Sequence, residues 1–220
     1  MQKKKTNLQN FLDLIKRRRF EIVGVLFLIL QIVVLYKFTF LSHPSNLLWF
    51  CSHAPLLFGI FFIKKNFDAI KAVICVGLIP QLIWLVDFLG KTLFGEFIFG
   101  VSDYMFLDIL RFSYITGIFE HFFSSLLALI LVYKYKPRKK VLIYATIYLA
   151  LILIFTVSFS EPEQNFNLTK HMMLFDEFTF PGYTYAWMIL AFIIVVIPTY
   201  YLQVFLYKLS QRKSIRRKNL

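Results

Sequence analysis

The sequence predicts an all-α membrane protein: a polytopic bundle of six transmembrane helices with both termini in the cytoplasm. Three observations lead there. Of the 220 residues, 59% are hydrophobic and only 17% charged, and the mean hydropathy is +0.66, whereas a soluble domain sits nearer ~45–50% apolar and ~25% charged. The apolar residues fall into six runs close to the roughly 20 residues that a helical crossing needs. The basic residues, finally, alternate sides with those runs. This composition excludes a disordered chain, a disulfide scaffold and an ordinary soluble enzyme. The runs are continuous rather than short and alternating, which excludes a β-barrel.

In chain order the expected spans are residues 22–41, 47–63, 72–89, 112–133, 141–159 and 183–207. The first is interrupted by Gln31 and Lys37. It is too long for a signal-peptide core, and no small-x-small cleavage site follows it, so it reads as an uncleaved anchor. Together the spans cover just over half the chain. The sequence therefore reads as a single transmembrane domain over 1–220, with a basic segment at 1–19 and a basic tail at 208–220. Cys51 and Cys75 are expected at different depths, which argues against a disulfide and for packing thiols.

Orientation comes from charge. Of the 25 Lys and Arg residues, 21 lie in the N-terminal segment, the loop after the second span, the loop after the fourth and the tail. Lys37, Lys91, Arg111 and Lys170 are the exceptions. The positive-inside bias assigns the majority side to the cytoplasm of a cell membrane. The net charge of +13 is thereby read as a topology signal with contacts to anionic membrane lipids. Nucleic acid is not expected as a partner.

The acidic residues lean the other way. Only Asp13, Glu21 and Asp68 fall on the basic side. Asp87, Glu96, Asp103, Asp108, Glu120, Glu161, Glu163, Asp176 and Glu177 all belong to the outer half, as do His43, His53, His121 and His171. At 100° per residue, the fourth span divides into a lipid-facing wall (Phe112, Ile115, Phe119, Phe122, Phe123, Leu126) and an opposite arc with Arg111, Ser113, Tyr114, Gly117, Glu120, His121, Ser124 and Ser125. The third span places Gly77, Pro80, Gln81, Trp84 and Asp87 on one side and Leu78, Leu82, Leu85, Val86 and Leu89 on the other. In the second, Asn46, Trp49 and His53 line up at i, i+3, i+7.

A charged side chain at the bilayer centre costs about 2.5–3.5 kcal/mol on insertion scales. Asp87 and Glu120 must therefore be paired, hydrated or protonated, and such residues mark a functional site. Polar glue between helices is the bland alternative. The expected site has Asp87, Glu120 and His121 as its titrating centre. Its ligand-orienting groups are Asn46, Trp49, His53, Gln81, Trp84, Arg111, Asn165 and Asn167. The absence of HExxH or CxxC spacing gives no ground for a metal, and no cofactor is implied. The long outer segment 160–182 is expected to cap the pocket, and Asn167-Leu168-Thr169 fits a glycosylation sequon.

Pro80-Gln81 resembles the dipeptide of PQ-loop transporters, although a second Pro-Gln is absent and a packing kink is the simpler reading. More broadly, Asn46…Trp49, Pro80-Gln81…Trp84…Asp87, Asp103-Tyr104-Met105-Phe106, His121 and Asn165-x-Asn167 resemble a group of small prokaryotic multi-pass membrane proteins of unassigned function. The resemblance covers about residues 46–167. It departs at His53, where that pattern carries an acid, and at Glu120, where it has no Glu. It implies a membrane protein with outward-facing polar motifs and carries no activity.

The sequence thus points to a polar, titratable pocket open to the extracytoplasmic side, for a small polar solute or a lipid headgroup. Three mechanisms fit. One is proton-coupled transport of a small solute, which predicts a polar path reaching the cytoplasm. The second is an enzyme acting on a lipid-linked substrate, with His121 as general base, which predicts a one-sided dead-end cavity. The third is a non-catalytic assembly subunit whose polar stripes meet a partner helix. No catalytic signature or oligomeric state is legible.

Overall fold

The computed structural model describes residues 7–41, 44–107, 111–160, 166–169 and 182–218, and among these residues there are helices and turns but no strand. Helix α1 runs Asn7–Tyr36 and continues in a π turn, Lys37–Leu41. A 3-10 turn, Pro44–Leu48, precedes α2, Phe50–Ile63. Helix α3 is Phe67–Phe94 and α4 a single turn, Tyr104–Leu107. Helix α5, Arg111–Ile118, passes through a π turn, Phe119–Phe123, into α6, Ser124–Val132. Helix α7 is Lys140–Phe159. Helix α8, Tyr183–Ala191, passes through a third π turn, Phe192–Val196, into α9, Ile197–Lys218.

Five of the resulting helical stretches are long and apolar enough to cross a membrane: Arg17–Phe40, Phe67–Phe94, Ile115–Val132, Lys140–Phe159 and Tyr183–Arg212. The second expected span, 47–63, is not one continuous helix. Its helix starts at Phe50 and has 14 residues, about 21 Å at 1.5 Å per residue, short of the ~30 Å hydrocarbon core. Trp49 is extended, with ψ 137°, so Asn46, Trp49 and His53 do not share one helical face. The break has a cause. The Phe50 amide, an orphan donor at a helix start, is taken by Asn167 Oδ1 at 3.1 Å, and Ser52 Oγ donates back to the Asn46 carbonyl at 2.9 Å. The first and last spans also extend beyond the expected limits, because α1 and α9 carry the basic segments on as helix.

Helix α1 buries Phe20, Gly24, Phe27, Gln31, Val34 and Phe38, a 4-3-4-3-4 spacing that puts one stripe against α2. Its other face exposes Ile22, Val25, Leu26, Ile29 and Ile32, apolar residues that suit lipid. The α1–α2 seam is tight at two glycines. A Cβ on Gly24 would lie 2.8 Å from the Gly59 carbonyl oxygen, and one on Gly59 would lie 2.6 Å from Leu28. Helix α3 is the central element, with residues 68–78 buried almost without interruption. Leu78, expected on the lipid side, is 2% exposed. Of the rest of that expected face, Leu82, Val86 and Leu89 are exposed, whereas Leu85 is half-buried and packs against the Trp84–Phe88–Met105 cluster.

Three buried glutamines bind helix to helix through backbone: Gln31, Gln81 and Gln203, the last donating from α9 to the Lys71 carbonyl at 3.1 Å. Gln31 Nε2 donates to the Ser52 carbonyl at 3.0 Å, and its Oε1 accepts from the Leu56 amide at 2.9 Å. Those two groups are the i, i+4 partners of a regular turn, and Pro55 lies between them. Gln81 treats the α5–α6 π turn alike, accepting from the Ser125 amide and donating to Ser124 Oγ and, at 3.4 Å, to the Glu120 carbonyl. Ser124 Oγ donates to that same carbonyl. A carbonyl drawn to side chains in this way releases its ladder bond, which is how a π turn arises inside a helix. The α8–α9 π turn ends two residues before Pro198, whose ring disrupts the preceding turn.

The two ends of the bundle differ. At one end Phe20, Phe67 and Tyr135 form an aromatic cluster, with centroids 3.8–5.9 Å apart. Around it run the ion pairs Glu21–Lys65, Asp68–Lys140 and Asp68–Arg138. The middle of α1, the end of α2 and the starts of α3 and α7 therefore share this basic end. The opposite end gathers residues 44–50, 95–103 and 166–169.

Candidate functional site

The chemistry nominated by the sequence lies toward the end opposite the basic cluster, around α3 and the α5–α6 π turn. Asp87 is fully buried, and its carboxylate closes a turn. Oδ1 accepts from the amides of Phe99 at 2.6 Å and Gly100 at 3.0 Å, and Oδ2 accepts from the Ser102 amide and hydroxyl, both at 2.8 Å. Gly100 takes a positive φ of 74° there, a conformation that suits glycine. Four donors occupy the carboxylate's acceptor sites, so Asp87 serves to hold the 99–102 segment onto α3.

Glu120 faces elsewhere. Its Oε2 lies 3.8 Å from Lys37 Nζ, and both side chains are buried. Each partner sits in a π turn, Lys37 at the end of α1 and Glu120 between α5 and α6. A π turn re-aims one side chain by the extra residue it inserts. Glu120 Oε1 has no hydrogen-bond partner among the described residues. Lys37, read from the sequence only as an interruption of the first span, is thus the counter-ion that the buried carboxylate required.

His121 is 9% exposed and stacks flat on Trp84, with ring centroids 4.1 Å apart and planes 12° apart. Trp84 stacks in turn on Phe88 at 5.1 Å. Met105 closes over the same cluster, and its methyl would lie 2.5 Å from a Cβ on Gly117. That contact explains why a residue without a side chain occurs at this point of α5.

A cavity of about 260 Å³ opens beside this stack, between α3, α7 and α8. Its walls are almost wholly apolar. Ile79, Ile83 and Pro80 come from α3, Leu149, Ile152 and Leu153 from α7, and Ile194 and Val195 from the α8–α9 π turn. The three tryptophans of the chain, Trp49, Trp84 and Trp187, all line it. Asn167 forms part of the rim and pins it. Besides accepting from the Phe50 amide, it donates through Nδ2 to the Leu48 carbonyl and to Thr156 Oγ1, both at 2.8 Å, while its own carbonyl accepts from Trp187 Nε1 at 2.9 Å. Its backbone is left-handed, φ 52°, which asparagine tolerates better than most residues.

Five nominated residues therefore line one cavity: Trp49, Gln81, Trp84, His121 and Asn167. Asn46, His53, Asp87 and Glu120 do not line it. The expected shared centre of Asp87, Glu120 and His121 is corrected accordingly: the three are buried in one region, but each turns to a different partner. The cap expected from 160–182 is described only at its two end residues and at 166–169. Asn165 and most of the cap lie outside the described residues, as does the side chain of Arg111. The Asn167 side-chain amide, which the sequon would present, is engaged in internal bonds. Cys51 and Cys75 are free thiols, and Cys51 lines the cavity. Among the described residues no three His, Cys, Asp or Glu side chains gather to hold a metal ion.

Sequence reasoning missed the α7 and α8 walls, which are ordinary apolar residues in their own segments. Trp187 carried a usable signal. Tryptophans concentrate near membrane interfaces, and the third one lines the same cavity as Trp49 and Trp84. No family model, curated protein or solved structure matches the chain, so no residue role enters the site from a relative.

Proposed function

We propose that the chain is an integral membrane protein of six crossings, with both termini cytoplasmic, whose extracytoplasmic half holds a lipid amphiphile in the cavity between α3, α7 and α8. The second crossing is α2 together with the turn before it. The observation that carries the ligand class is the cavity's lining. A small polar solute would enter walls with few unspent polar groups, and an unpaired polar group costs about 1–3 kcal/mol by mutational measures. The amides of Gln81 and Asn167 are already engaged with protein. An apolar chain against Ile79, Ile152 and Leu153 meets no such cost, and the Trp49–Asn167–Trp187 rim suits the junction of chain and headgroup.

The test is the lipid retained by protein purified in mild detergent, measured by mass spectrometry. Wild type is expected to keep a discrete lipid class that Ile152→Trp, which fills the cavity, loses. A wild-type preparation carrying only the bulk membrane mixture, unchanged in the variant, contradicts the reading.

The buried Lys37–Glu120 pair favours one second reading, a proton-coupled transporter of a small solute. In that case Glu120→Gln abolishes uptake driven by a pH gradient while the retained lipid stays the same.

A further inference from the structure

The end of α3 opposite the basic cluster carries an apolar surface separate from the cavity. Leu82, Val86, Leu89 and Leu93 recur at i, i+4, i+7, i+11, which is one stripe of the helix, and all four are exposed. Phe94, 80% exposed, ends the helix beside them. The chain then turns at Gly95, φ 82°, and comes back along α3. Ile98 lies against Gly90, where an added Cβ would be 3.0 Å from its side chain. The Phe97 ring lies 4.8 Å from Lys91 Nζ, and Phe106 packs 5.6 Å from Phe88 and 5.5 Å from Phe97. Ile98, Phe99 and Phe106 are exposed as well, so the returning segment carries apolar surface in addition to the helix.

The depth of that surface follows from helix length. Helix α3 has 28 residues, about 42 Å at 1.5 Å per residue, whereas the ~30 Å hydrocarbon core takes about 20 residues. Counted from Ala72, the first residue past Asp68 and Lys71, the core ends near Lys91. Asp87 and Gly90 then sit just inside that boundary. The returning segment is level with them, about 10 Å back from the helix tip. Irregular backbone at such a depth needs its N–H groups satisfied by protein. Asp87 takes the amides of Phe99, Gly100 and Ser102, and the Ser102 and Asp103 carbonyls take those of Met105 and Phe106. A loop in water needs no buried carboxylate for this purpose, because water satisfies its amides. Lys91 Nζ donates to the Gly95 carbonyl at 2.7 Å, reaching toward the helix tip as a lysine does when it snorkels to headgroups.

We propose that residues 93–106, pinned by Asp87, form a wedge seated in the leaflet opposite the basic end, with lipid at the junction of acyl chains and headgroups as its partner. Exposed apolar patches mark contacts with protein or membrane. Two observations favour lipid: the level of the segment on α3, and its position next to the exposed apolar stripe of that helix. The wedge rests on α3 crossing the membrane, as in the proposed function, and is independent of what the cavity holds.

The test is nitroxide labelling of the full chain in phosphatidylcholine vesicles, with Cys51→Ala and with Cys75 kept because it is fully buried. Labels on Leu82→Cys, Leu89→Cys and Phe99→Cys are relaxed by oxygen, which concentrates in lipid, and by a nickel chelate, which stays in water. The label at 99 is expected at the depth of the label at 89, about 10 Å shallower than the one at 82. Water exposure at 99 alone overturns the wedge, and shielding of 99 from both reagents overturns it in favour of a protein cover. Water exposure at 82 denies the crossing and overturns both readings, whereas the lipid retained by Ile152→Trp bears on the cavity alone. Asp87→Leu is expected to bring the label at 99 into water and to leave the label at 89 in place; an unchanged label at 99 overturns the pinning by Asp87. Asp87→Asn, which keeps the shape and loses one acceptor oxygen, serves where Asp87→Leu does not fold. Where the cysteine variants do not fold, quenching of Phe99→Trp by brominated phosphatidylcholine, beyond that of wild type, reads the same contact, and no added quenching overturns it.

Discussion

Asn167 holds three partners with one side chain: the Phe50 amide, the Leu48 carbonyl and Thr156 Oγ1. It caps α2, ties α2 to α7 and fixes the cavity rim. Interhelical hydrogen bonds in membranes average about 0.6 kcal/mol, so Asn167→Ala is expected to cost about 2 kcal/mol in a denaturant titration of the purified protein. A loss near zero would mean that other contacts hold the rim. The Lys37–Glu120 pair makes a different prediction. Removing one partner leaves a buried charge, and Lys37→Met is expected to destabilise by about 3 kcal/mol. The double variant Lys37→Met/Glu120→Leu recovers most of that loss. Equal destabilisation by the single and double variants would show that the pair is not coupled. Neither interaction is legible locally. Lys37 and Glu120 are far apart in the chain, and nothing near either names its partner; the need for a partner is legible, its identity is not.

At the scale of elements, hydropathy finds the long apolar helices because each is apolar along its own length, so the signal is local. The boundaries fail where a distant group intervenes. The second span stops short because Asn167 takes its first amide, and the π turn at Phe119–Phe123 exists because Gln81 and Ser124 draw the Glu120 carbonyl away. Face assignments survive where a helix has one neighbour and fail where it has several. Leu78 is buried because α3 is packed on most sides at that level, a fact that a single-helix projection lacks. The α1–α2 seam gives the sharpest element-scale test. A side chain at Gly24 meets the Gly59 carbonyl, which is backbone and cannot swing aside. Gly24→Val is expected to destabilise by about 1–3 kcal/mol through overpacking, read by the same titration. An unchanged midpoint would mean that the two helices sit farther apart.

At the scale of the whole molecule, the chain is polarised. Cations occupy one end, and the Asp87 turn, the His121–Trp84 stack and the apolar cavity lie toward the other. The sequence showed that division in its charges. It did not show that the nominated residues would divide between three partners, because their orientation depends on π turns that periodicity at 100° per residue cannot represent. It also gave no sign that the chamber would be apolar, since its walls on α7 and α8 look like any lipid-facing helix. The central claim is that this chamber holds a lipid apart from the surrounding bilayer. Photocrosslinking tests it most directly, with a photoreactive residue placed at Val195, buried in the cavity wall, or at Ile147 on the exposed face of α7. The account predicts one discrete lipid class captured at 195 and the bulk mixture at 147. The same mixture at both positions, or no lipid at 195, would contradict it.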